Sequence, residues 1–96
     1  MSPAEDLTGA FSEFAGENIV VDTRSPFVYI GRLERVSHNA LILSDADVHN
    51  INETSTSTGR YLLETQKHGI RINRRSVTVL VREIVSISRL NDIEPY

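Results

Sequence analysis

Hydrophobic and polar positions along the chain set out a series of short strands. Ile19, Val20 and Val21 make a β-branched run that ends at Asp22, and Arg24-Ser25-Pro26 connects it onward. The longest patterned stretch is 27–48, FVYIGRLERVSHNALILSDADV. It reads as two long strands joined by a tight turn at Ser37-His38-Asn39, the second running from about Ala40 to His49. Gly31 sits inside the first of these, where large apolar residues on one side give way to Leu33 and Val36 on the other. A glycine at such a change of face predicts a sharp bend or bulge. Further on, Val77, Val79 and Val81 alternate with Thr78 and Leu80 in a fourth strand. Arg82-Glu83 interrupts, and 84–88, IVSIS, forms a fifth.

Two helices complete the pattern. Ser2, Pro3 and Glu5 make a helix start, and Leu7, Ala10, Phe11 and Phe14 form one apolar stripe before Gly16 stops it. This predicts a helix over roughly 3–15, its stripe on the open end of a barrel or against a neighbouring subunit. The polar run NINETSTST has no core pattern and is expected to be exposed. Residues 58–68 read as a helix ending in Lys67, His68 and Gly69. The last residues, 91–96, are expected to be loose unless a partner holds them. The fold class that follows is mainly β, a small, strongly bent five-stranded barrel. It carries an N-terminal α-helix and a helical or irregular insertion between strands 3 and 4.

Composition narrows the function. Ninety-six residues, 40% hydrophobic and 24% charged, fit one globular domain. The absence of cysteine removes disulfides and thiolate metal sites and fits a reducing, cytoplasmic setting. No apolar run has the length of a membrane span. Net charge is −3, but unevenly placed: residues 1–54 hold three Arg against nine acids, and 55–96 hold seven Lys or Arg against four. The second half therefore carries a local basic surface.

Three groups have chemical interest. Asp45, Asp47 and His49 alternate, so on a regular strand all three project from one face, where two carboxylates and an imidazole suit Mg²⁺ or Mn²⁺. The plainer reading is a solvated strand end with Asp45 making turn hydrogen bonds. Arg71, Arg74 and Arg75 form the densest basic group, suited to phosphate through the planar guanidinium fork, or else to ion pairs with the acidic half. Ser37, His38 and Asn39 are neighbours in a turn, which does not give triad geometry. No phosphate loop, nucleotide fingerprint or catalytic carboxylate pair is present, so neither enzyme activity nor a cofactor is expected.

The order and spacing of these elements over about residues 17–90 resemble the Sm and Sm-like family. Gly31, Leu41, Leu43 and Asp45-Ala46 match its first motif, within 17–48. Val79 to Arg82 followed by Ile84 to Ile87 is similar to its second, within 76–90, and 49–75 fills the variable region between them. The resemblance implies a homo-oligomeric ring through strands 76–82 and 84–89. It also implies single-stranded RNA as a partner, with His38, Asn39 and Arg82 at the site and Arg71, Arg74 and Arg75 outside it. The chain departs from the family at Val36 and Ala40, where RNA-binding members carry aspartate and asparagine, and at Glu83, where they carry glycine. Those departures suit a second expectation, an Sm-like scaffold that binds other proteins instead of RNA.

Overall fold

The β-branched run of the first strand is buried on both faces, and that requirement shapes the whole molecule. The computed structural model describes residues 8–95. Helix α1 (Thr8–Ser12) is followed by strands β1 (Asn18–Thr23), β2 (Phe27–Ser37) and β3 (Ala40–Asn50). Helix α2 (Thr58–His68) comes next, then β4 (Arg74–Leu80) and β5 (Ile84–Arg89). The strands form one antiparallel sheet in the order β4-β3-β2-β1-β5, so β4 and β5 are its edges.

Gly31 bends the sheet as its position foretells. The β2–β3 register runs Ile30↔Asp47 and then Arg32↔Ser44, leaving an extra residue in β3 opposite Gly31. A Cβ on Gly31 would lie 2.9 Å from the Ala46 Cβ and 3.1 Å from the Ser44 carbonyl oxygen, so only glycine lets the two strands approach this closely. A second shift follows between Leu33 and Arg35, this time with the extra residue in β2. The paired irregularities curl the long hairpin and let it serve both sides of the barrel.

The sheet buries two separate clusters. Inside the bend lie Ile19, Val21, Leu33, Leu41, Leu43, Ala46 and Val79, with Phe11 and Phe14 packed against them. The stripe of the first helix thus meets this chain's own barrel. Its predicted start at Ser2-Pro3, together with Leu7, lies outside the described residues. The helix also ends earlier than Gly16: turn hydrogen bonds from Phe14 to Phe11 and from Ala15 to Ser12 carry the chain onward. The opposite face buries Val20, Val28 and Ile30 beneath Leu62 of α2 and Leu90, joined by Tyr61, Ile70 and Ile93.

Helix α2 has the bounds its pattern predicts. The Ser57 side chain caps it by accepting from the Arg60 N–H, and Gly69, at φ 97°, ends it. The C-terminal segment differs from its expectation. A 3-10 turn at Leu90–Asp92 docks it, and Gln66 Nε2 donates to the carbonyl oxygens of Leu90 at 2.8 Å and Ile93 at 3.0 Å. Its polar sequence hid two apolar anchors whose partner, α2, lies more than twenty residues earlier.

Candidate functional site

The two ends of the β3–β4 ladder gather different chemistry. At one end the Ser37–Ala40 turn meets the 3-10 turn Val81–Glu83, because the Val81 N–H donates to the Asn39 carbonyl at 2.8 Å. The Arg24 N–H fixes the second turn by donating to the Glu83 carbonyl at 3.0 Å. His38, Asn39 and Arg82 are exposed on this shared rim. Residues 42 positions apart in sequence, Asn39 and Val81, become neighbours through one backbone hydrogen bond.

The other three basic candidates are not there. Arg74 pairs with Ala46 at the far end of the ladder, six residues along β3 from Ala40, or ~20 Å at the usual rise per residue. Arg75 follows it, and Arg71 lies in the extended segment between α2 and β4. The six arginine, histidine and asparagine candidates form two groups, with Arg71, Arg74 and Arg75 away from the rim.

The trio Asp45, Asp47 and His49 does not share a face. The bulge opposite Gly31 takes Asp45 into the left-handed region at φ 47°, a conformation aspartate tolerates, and leaves it exposed. Alternation resumes only after it, so Asp47 and His49 remain side by side. Asp47 is 2% exposed. Its carboxylate accepts from the Tyr61 hydroxyl and, at 3.0 Å, from Asn73 Nδ2. The Tyr61 ring lies flat over His49, with centroids 3.6 Å apart and planes within 11°. One tyrosine from α2 thus covers both residues. Among the described residues no group of three or more His, Asp or Glu side chains is placed to hold a metal ion.

Asn73 completes the network. Its Oδ1 accepts from the Val48 N–H at 2.9 Å and its Nδ2 also reaches the Val48 carbonyl at 3.2 Å, so the side chain pairs with β3 as a strand residue would. Burial, reinforced by the adjacent Asp47 carboxylate and only partly offset by Arg71, pushes the Tyr61 hydroxyl up to about 12. His49 Nε2 is buried without a hydrogen-bond partner. The contacts of Tyr61 and Asn73 with Asp47 have no local sequence signal, because the residues lie 14 and 26 positions away. The available signal was Asp47 itself, an acid between Ala46 and Val48 in a buried strand.

Two cavities flank this network. One, of about 330 Å³, lies along α2 and is lined by Thr56, Arg60, Tyr61, Glu64 and Arg71 among others. The second, of about 530 Å³, lies along the end of β3 and includes His49, Asn50, Glu53, Tyr61, Arg71 and Asn73. Tyr61 and Arg71 line both.

No protein-family model matches the sequence, and no curated protein matches it significantly. Among solved structures, the chain resembles an Sm protein of Pyrococcus abyssii, determined in complex with a uridine heptamer. The match has a TM-score of 0.56 and covers 93% of this chain and 99% of that one, at 14% identity. The fold is Sm-like. At 14% identity the likeness carries the fold and no side-chain role across. No helix among the described residues is long and apolar enough to cross a membrane.

Proposed function

We propose that this chain assembles through its β4 and β5 edges into a closed Sm-like ring and binds single-stranded RNA at the rim formed by His38, Asn39 and Arg82. The observation that carries the reading is the Val81–Asn39 backbone hydrogen bond, which brings both motif turns together with their polar side chains exposed. Edge strands support the assembly. Each presents unpaired backbone groups, neither β4 nor β5 contains proline, and a head-to-tail contact that closes by rotation satisfies every edge. The uridine heptamer in the Pyrococcus abyssii complex makes oligouridine the first ligand to try. Arg74 and Arg75, exposed at the far end of the ladder, offer phosphate contacts outside the rim.

Glu83 favours the second reading, a ring that serves as a protein scaffold. It places an exposed carboxylate beside Arg82, where it opposes an RNA phosphate. One measurement separates the two: light scattering with the 260/280 nm absorbance ratio, followed by anisotropy titration of a uridine heptamer at several salt concentrations. The RNA reading expects ring-sized particles and affinity that falls with salt. Arg82→Ala should reduce the salt slope by about one, as loss of one phosphate contact requires. Rings without affinity for the heptamer would leave the scaffold, and a monomer would remove both.

A further inference from the structure

The insertion carries a cavity pair that the rim reading does not use. Arg60 and Arg71 face the same 330 Å³ cavity, and neither is in an ion pair among the described residues. The acids nearby are already engaged. Glu64 faces His68 at 3.3 Å, Glu53 accepts from Asn50 Nδ2 at 3.3 Å, and Asp47 is held by Tyr61 and Asn73.

We propose that this double cavity is a second binding site, for a nucleotide, with its phosphate between Arg60 and Arg71 and its base beside Tyr61. Charge sets the orientation. The first cavity has two arginines against Glu64, whereas the second has Asp47 and Glu53 against Arg71 alone. Phosphate is therefore drawn to the first and repelled from the second. In the second, Asn73 is committed to Asp47 and Val48 and Asn50 to Glu53 and Asn52, so the Glu53 carboxylate, with acceptor capacity beyond its bond to Asn50, is the group left to meet a donor on the base edge. Each volume lies within the range of small-molecule sites.

The wall between the cavities is pre-set. Tyr61 is fixed at its hydroxyl by Asp47 and along one ring face by His49, so little side-chain entropy is lost when a ligand meets it. The site is independent of the rim, which lies at the opposite end of β3. The same chemistry serves a free nucleotide or one unit of a single-stranded chain, and competition separates the sources.

The test uses the full chain and uridine 5′-monophosphate, adenosine 5′-monophosphate and uridine as probes, read by backbone amide shifts and by calorimetry. A monophosphate should bind saturably and shift residues of α2 and 69–73, while uridine binds about tenfold more weakly for want of the charge-assisted hydrogen bonds. Arg60→Ala and Arg71→Ala should each weaken the monophosphate about tenfold. Both side chains are exposed, so the variants should keep the wild-type melting curve. His38→Ala and Arg82→Ala, which lie outside both cavities, should leave the monophosphate-induced shifts of α2 and 69–73 unchanged. A uridine heptamer without terminal phosphate that displaces the monophosphate would assign the site to a nucleic-acid strand; failure to displace it would assign a free nucleotide, and both uphold the site. The proposal falls if neither monophosphate binds at millimolar concentration, if binding survives both arginine variants, or if Arg82→Ala abolishes it equally.

Discussion

The Tyr61 hydroxyl donates its hydrogen to Asp47, the one buried carboxylate among the described residues, and so ties the insertion helix to the third strand. A buried charge left without partners costs more than the contact that satisfies it. Tyr61→Phe keeps the ring over His49 but strips one partner from Asp47. Urea unfolding should show a loss of about 1–3 kcal/mol with unchanged slope. Adding Asp47→Asn should cost less than the two changes summed, because both act on one contact. Strict additivity would mean that the hydrogen bond does not couple them.

The same pair predicts an alkaline weakness. Tyr61 ionises at about 12 in the folded chain, against 10.0 for an ordinary tyrosine. A folded-state value raised above the unfolded one means the unfolded chain loses its proton first. The stabilisation is therefore complete below pH 10 and is lost as pH rises from 10 towards 12. Unfolding free energies at pH 9 and pH 11.5 should fall more steeply for wild type than for Tyr61→Phe, which lacks the ionising group. Equal slopes would show that Tyr61 titrates as it does in the unfolded chain.

Gly31 and Ala46 define a second pair. A methyl group at position 31 meets the Ala46 Cβ at 2.9 Å and the Ser44 carbonyl at 3.1 Å, so Gly31→Ala should destabilise by about 1–3 kcal/mol through overpacking. Ala46→Gly removes the closer obstacle. The double variant should melt above Gly31→Ala alone, and failure of that rescue would place the strain in the β3 backbone, at the Ala46 Cα and the Ser44 carbonyl.

What the sequence announces and what it conceals divide along range. Strand positions, the bend at Gly31 and the α2 bounds are written in local alternation, glycine placement and capping residues, each readable within a few positions. The trio Asp45, Asp47 and His49 misleads because alternation assumes a regular strand, while the bulge that breaks it is a property of the β2–β3 pair. Arg71, Arg74 and Arg75 are close in sequence, and their distance from His38 and Arg82 is set by the β3–β4 ladder, a pairing that no local pattern measures. Tyr61 over His49 depends on how α2 folds back, and no local pattern encodes that contact.

Val85 is 66% exposed on the β5 edge, next to an apolar groove of about 340 Å³ that Phe11 and Phe14 also line. Pairing of that edge with a neighbouring β4 would cover it. Val85→Glu should then shift light scattering from ring-sized particles to smaller species. As a surface change it should move single-chain stability by no more than about 0.5 kcal/mol. An unaltered particle mass would take this edge out of the assembly contact.

Gln66 makes α2 the anchor of the C-terminal segment. Its Nε2 serves the carbonyls of both Leu90 and Ile93, which follow β5 directly, while α2 itself leads into β4. The helix thus holds the chain close to both edge strands. Gln66→Ala removes both hydrogen bonds and leaves Leu90 and Ile93 held by apolar packing alone. Global stability should fall by about 1–2 kcal/mol, near the value of one or two ordinary hydrogen bonds. The local effect should be larger: amide exchange over 90–94 should accelerate well before exchange in β1 or β2 changes, since a segment docked beside the sheet opens independently of it. Equal acceleration across β1, β2 and the C-terminal residues would show instead that α2, the segment and the outer sheet face unfold as one unit. In that case Gln66 would be a determinant of the whole fold.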